Sequence, residues 1–96
     1  MKPSEALSTH RDAIRKIVEQ NRARNVRVFG SAIHGKDHEG SDLDLLVDPT
    51  QETTLFDLAR IQGHLQTLLG VEVDVLTPAA LPEKFRQRVL AEALPV

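Results

Sequence analysis

The run Leu43-Asp44-Leu45-Leu46-Val47 constrains the fold more than any other stretch, because it reads as a strand with apolar residues on both faces. It begins among carboxylates and stops at Asp48-Pro49, where proline cannot continue a ladder. Such a strand needs cover on both sides, and the rest of the chain must provide it. With 96 residues, 41% of them apolar, the chain suits one compact domain spanning 1–96.

The remaining segments have the right patterns to supply that cover. Ser4, after Pro3, is placed to cap a helix, and Leu7, Ile14, Ile17 and Val18 recur at near-helical spacing until Gln20–Asn25 turns polar. Val26, Val28 and Phe29 form a β-prone run that stops at Gly30, and the polar stretch from Ser31 to Ser41 follows as a loop or short helix. From Thr54, the residues Leu55, Leu58, Ala59, Leu65, Leu68 and Leu69 form a helical stripe closed by Gly70. Val71, Val73 and Val75 then alternate with Glu72 and Asp74, which predicts a strand with one buried face. Leu81, Phe85 and Val89 lie four apart around Pro82 and predict a short amphipathic C-terminal helix. The expected order is α-β-loop-β-α-β-α, an α/β (α+β) chain whose helices pack against a small mixed sheet.

Composition narrows the function. Twelve Lys+Arg against fourteen Asp+Glu leave a net charge of −2, so the molecule as a whole does not attract nucleic acid. Trp and Tyr are absent and Phe29, Phe56 and Phe85 are the only aromatics, too few for base-stacking platforms. Direct nucleic-acid recognition is therefore not expected. The lack of cysteine rules out disulfides and thiolate chemistry and is compatible with a reducing cytosol. The start MKPSEALSTHRD has no signal-peptide core, and no apolar run approaches the roughly 18 residues of a membrane helix, so a cytoplasmic protein without membrane partners is expected.

Asp42 and Asp44 are two apart at the mouth of a strand, so both side chains leave the same face. Asp74 projects away from its valine neighbours on a second strand. If those strands are adjacent, three carboxylates converge, and their mutual repulsion calls for a hard cation such as Mg²⁺. Two such ions about 3.5–4 Å apart can clamp the attacking and leaving oxygens of a phosphoryl displacement. An isolated Asp-x-Asp is better explained as a solvated sheet face. The distinguishing feature is Phe29-Gly30-Ser31, a strand end eleven residues upstream, where glycine permits close backbone approach and free N–H groups with the Ser31 hydroxyl can hold a phosphate.

The runs Val28-Phe29-Gly30-Ser31, Gly40-Ser41-Asp42-Leu43-Asp44-Leu45-Leu46-Val47 and Val73-Asp74-Val75-Leu76-Thr77 resemble the nucleotidyltransferase fold of the DNA polymerase beta superfamily. The size and layout, down to Arg88-Val89-Leu90-Ala91-Glu92-Ala93, resemble the minimal nucleotidyltransferase (MNT) antitoxins that pair with HEPN-domain ribonuclease toxins. The resemblance implies that Gly30 and Ser31 bind the triphosphate, that Asp42 and Asp44 ligate two Mg²⁺ ions, and that Asp74 completes the catalytic metal and helps activate an acceptor hydroxyl. Ser41 and Lys36 join the expected nucleotide-binding set. Many relatives carry arginines just after the Gly-Ser, whereas this chain reads Ala32-Ile33-His34-Gly35, so Lys36, His34 or a more distant basic residue must meet the phosphate charge. The implied function is transfer of AMP from ATP to a hydroxyl, tyrosine in the family's usual case, on a cognate HEPN toxin. The alternative is an antitoxin that neutralises its toxin by contact alone.

Other signals weigh less. Gly30 to Lys36 nearly spells a P-loop, but Asp37 stands where Ser or Thr should hold Mg²⁺. His34 and His38 have a zinc-like spacing, yet flanking glycines and the missing cysteines favour solvated loop histidines, and His10 and His64 read as surface or boundary residues. An adenylyltransferase acting on an antibiotic would need an acceptor pocket from an added domain, for which this chain has no length.

Overall fold

The computed structural model describes every residue from Met1 to Val96. Helices α1 (Pro3–Thr9) and α2 (Arg11–Gln20) lead into strand β1 (Ala23–Phe29) and a short 3₁₀ turn, Gly30–Ala32. Strand β2 (Leu43–Pro49), helix α3 (Leu55–Leu69), strand β3 (Val73–Leu76), helix α4 (Glu83–Glu92) and a two-residue strand β4 (Leu94–Pro95) follow. The sheet order is β3-β2-β1-β4, with β2 and β3 parallel and the other pairs antiparallel. This is the mixed sheet the sequence predicts, with one strand more. The extra strand is legible only in three dimensions: Leu94 and Pro95 pair with Val28 and Arg27, at an edge where proline's missing N–H costs no ladder bond.

The two-sided strand is as expected, because Leu43, Leu45, Leu46 and Val47 are all fully buried. Leu43, Leu45 and Val47 join a core of 17 residues built from α1, α2, α3 and the sheet. Leu46 lies on the opposite face, outside that core, and Leu81 and Pro3 are buried outside it as well.

Four local expectations need correction. The first helical pattern is split at His10, whose φ of −122° and ψ of 27° break the helix. The split lets α1 bury Ala6 and Leu7 while α2 buries Ile14, Ile17 and Val18 from a different direction. Ser4 is not the cap: α1 is capped by Lys2, and Ser4 bonds to Asp37 instead. In α3 the capping at Thr54 and the left-handed Gly70 are as expected, but the buried line is Asp57, Ile61, Leu65 and Leu69, whereas Leu55, Ala59 and Leu68 face outward. The C-terminal helix begins after Leu81, and it buries no residue. Polar bonds hold it in place of apolar packing: the Arg86 guanidinium donates to the carbonyls of Pro78, Ala79 and Leu81.

Asp57 is the one acid buried at an ion pair. Its side chain accepts from the guanidinium groups of Arg22 and Arg60 and from the Thr54 N–H, which hold its carboxyl well below the usual range. A depressed folded-state pKa stabilises above the unfolded carboxylate range near pH 4, and the contribution is lost as pH falls through and below that range. Asp57→Ala is therefore expected to lower the urea midpoint at pH 7, and the difference from wild type should shrink steadily below pH 4. Urea titrations at both ends of that range check it; a pH-independent difference would mean that the ion pair is not the cause.

Candidate active site

The strand register decides which acids meet. Asp44 lies opposite Asp74 across the parallel β2–β3 pair, and opposite Phe29 across the antiparallel β1–β2 pair. Since Leu43, Leu45, Val73 and Val75 turn inward to the core, Asp44 and Asp74 leave the other face of the sheet. Asp42 precedes β2 by one residue and shares that side, exposed like Asp74, while Asp44 is half-buried. Burial, followed by the nearby charges of Asp74 and Asp42, pushes the Asp44 carboxyl up to about 6.

None of the three aspartates forms an ion pair within the protein. Their neighbours differ: Asp48, further along β2, is paired with Arg27, and Glu72 accepts a hydrogen bond from the Gln66 amide at 2.7 Å. Unneutralised carboxylate oxygens gathered on one face are a donor set that suits Mg²⁺. No three His, Asp or Glu side chains converge on a single ligating point, so the carboxylates are brought to one face but not closed around one position. Adjacent strands lie about 4.8 Å apart, so closure needs side-chain rotation more than backbone movement.

Gly30 completes the wall of this site. It has a φ of +79°, and a Cβ there would overlap Asp44 Oδ2 and lie 3.4 Å from its Cγ. Only glycine fits both the left-handed backbone and the carboxylate pressed against it. Ser31 follows in the 3₁₀ turn, exposed, with a hydroxyl that takes part in no hydrogen bond with protein, and its carbonyl accepts from the Lys36 N–H at 3.2 Å. That bond keeps the exposed Lys36 beside the Gly-Ser turn. Ser41 has a different local role: its Oγ accepts from the His38 N–H and its own N–H donates to the His38 carbonyl, both at 3.0 Å. These bonds shape the entry to Asp42 and leave the hydroxyl proton free to donate.

Sequence reasoning misses Asp37 and Gln66. Asp37, notable there only as the residue that spoils a P-loop, is buried and tied to Ser4. Gln66 sits six residues before Glu72 and satisfies it, which separates Glu72 from the unpartnered Asp74. No local pattern marks either contact. The histidines behave as expected, with His34, His38 and His64 exposed and His10 at a helix boundary.

The aspartates line none of the molecule's concavities. The nearest, of about 490 Å³, is bounded by Met1, Glu39, Gly40, Ser41, Gln66, Gly70, Val71 and Glu72, on the flank of the site. A Gly-Ser turn at the end of one strand, Asp-x-Asp at the start of the next and a third aspartate in register with it are the layout of a nucleotidyltransferase. The chain belongs to the nucleotidyltransferase domain family, whose profile matches residues 11–96. It is 32% identical to the protein adenylyltransferase MntA of Thermococcus cleftensis over 88 residues, which cover 92% of this chain and 86% of that one. Among solved structures, a chain provisionally described as a minimal nucleotidyltransferase is 42% identical, with a TM-score of 0.87 over 97% of this chain and 95% of that one. A toxin–antitoxin structure with AMP-PNP shares the fold, with a TM-score of 0.74 at 21% identity over 88% of this chain and 69% of that one.

Proposed function

We propose that this chain is an MNT antitoxin that transfers AMP from ATP to a hydroxyl of a cognate HEPN ribonuclease toxin. The reading is carried by the apposition of Asp44 and Asp74 on neighbouring strands, walled by Gly30 and free of internal ion pairs. The name of the Thermococcus relative and the toxin–antitoxin structure with AMP-PNP support it. Asp42, Asp44 and Asp74 would hold two Mg²⁺ ions, which when bound neutralise the triphosphate and the charge that develops at the reacting phosphorus. Gly30 lets the backbone approach the phosphates, and Ser31, Ser41 and Lys36 donate to them. The acceptor oxygen attacks the α-phosphorus, the bond to the β-phosphate breaks, and pyrophosphate leaves. Asp74 helps to activate the acceptor hydroxyl by accepting its proton.

The open site accounts for a protein acceptor. With no cavity around the aspartates, a partner's surface must complete the site. This chain has no tyrosine, so a tyrosine acceptor must come in trans. A bulky anionic AMP near a ribonuclease site would repel RNA and silence the toxin. Both partners act in the cytoplasm in this reading, and no helix here is long and apolar enough to cross a membrane.

ATP labelled at the α-phosphorus should leave label on the toxin, and ATP labelled at the γ-phosphorus should leave none. Label from the γ-position alone would make the protein a kinase and refute the reading. In the same assay Asp74→Asn should stop transfer, while Glu72→Gln, whose side chain already bonds to Gln66, should stay near wild type. The reverse ranking would remove Asp74 from its role.

A further inference from the structure

The segment from Ile33 to Ser41 brings Lys36 to the Gly-Ser turn and delivers Asp42 to β2, yet it belongs to no helix or strand. Within itself and to its adjoining turn it makes few bonds: Ile33 N–H to the Gly30 carbonyl, Lys36 N–H to that of Ser31, the reciprocal pair between His38 and Ser41, and a contact of His38 Nδ1 with the Glu39 carbonyl. Its three side-chain hydrogen bonds to distant parts of the fold all run to the first residues of the chain. The Asp37 carboxylate accepts the Ser4 N–H at 2.7 Å and the Ser4 hydroxyl at 3.0 Å, and Glu39 accepts from the Met1 amine at 2.7 Å.

These two ties differ in strength. The Met1–Glu39 pair is exposed and screened by solvent. Asp37 is only 4% exposed and forms no ion pair, so its charge is supported chiefly by Ser4, through the second N–H position of α1. The Ser4 N–H holds its carboxyl below the usual range. A buried carboxylate is costly to leave unpaired. Losing the contact therefore releases the loop in place of a weak substitute for it.

We infer that Asp37 is a positioning residue: its clasp on Ser4 fixes the 33–41 loop so that Lys36 and Asp42 face a bound nucleoside triphosphate. Asp37 touches neither nucleotide nor metal, and it acts by the place it gives to those that do. The inference rests on the nucleotide-binding reading above. Misplacement of a binding group by about 1 Å can cost up to about a hundredfold, so loss of the clasp should weaken nucleotide binding by at least about tenfold.

The test combines calorimetry of the α,β-methylene analogue of ATP with Mg²⁺ and amide hydrogen exchange on the full chain. Asp37→Ala should accelerate exchange at 33–41 ahead of the sheet and weaken analogue binding about tenfold. Asp37→Asn, which keeps an acceptor for the Ser4 N–H, should recover part of the affinity. Ser4→Ala, which removes only the hydroxyl bond and leaves the fold's backbone contacts, should give a smaller loss in the same direction and covers the case in which Asp37→Ala does not fold. Unchanged affinity in folded Asp37→Asn and Ser4→Ala overturns the inference, as does exchange accelerated equally across the sheet. If the wild-type chain itself binds no analogue, the nucleotidyltransferase reading falls as well; wild-type binding with unaffected variants removes only the clasp.

Discussion

Asp42→Asn with Asp44→Asn is expected to abolish transfer and to make the protein more stable at neutral pH. The loss follows from removing the charges that would bind both metal ions, whose stabilisation of the reacting phosphoryl is worth several kcal/mol, or about a thousandfold or more in rate. The gain in stability follows from the Asp44 carboxyl, which burial and then the charges of Asp74 and Asp42 push up to about 6. A raised folded-state pKa means that the ionised form is disfavoured by folding. The penalty is absent below about pH 4, where the group is protonated folded and unfolded, grows between pH 4 and 6, and is complete above 6. A shift of that size corresponds to about 3 kcal/mol at full strength, and solvent access to this half-open site reduces it to roughly 1 kcal/mol. The double variant should therefore exceed wild type in urea stability at pH 7.5 and match it near pH 4, and added Mg²⁺ should stabilise only wild type. Transfer at the wild-type rate by the variant would remove these residues from the chemistry.

Gly30→Ala should be nearly as damaging to activity by a different route. The position has a φ of +79°, where an L-residue pays roughly 1–2 kcal/mol, and the new methyl would overlap Asp44 Oδ2. Relief requires Asp44 to rotate away, which misplaces the acid nearest the centre of the site, or β1 to shift against β2. The expected result is about 1–3 kcal/mol lost in urea unfolding and about a hundredfold drop in transfer. Gly70, at the end of α3, also has a positive φ but faces open space, so Gly70→Ala serves as a control that pays the backbone strain without disturbing Asp44. Equal activity losses in both variants would show that strain alone, and not the contact with Asp44, accounts for the effect.

What could be read from sequence is what local chemistry specifies. The two-sided strand Leu43–Val47, the Thr54 cap and Gly70 stop of α3, and the alternation at Val73–Val75 all depend on residues within a few positions of one another, and the structure has each of them. The shared face of Asp44 and Asp74 follows from that alternation once β2 and β3 are neighbours, and the α3 crossover between them makes them so. What could not be read depends on distant partners. Ser4 looks like a cap until Asp37, 33 residues on, takes its N–H and hydroxyl, and nothing near Asp57 in the sequence marks its pairing with Arg22, 35 residues back. Leu55 and Leu68 fit the stripe of α3 by spacing, but the face that packs is set by Ile61 and Leu65 against the sheet. Likewise Phe85 has helical spacing with Leu81, yet the helix is tied down by Arg86, and Lys84 and Arg88 lie 5.7 and 5.5 Å from the Phe85 ring.

Intact mass spectrometry of this chain and its toxin, incubated together with ATP and Mg²⁺, tests the central claim most directly. The account predicts an adenylyl increment on the toxin, none on this chain, loss of the increment with Asp42→Asn/Asp44→Asn, and loss of ribonuclease activity in step with modification. An increment on this chain alone would contradict it, and a toxin inhibited without any change in mass would instead establish neutralisation by contact.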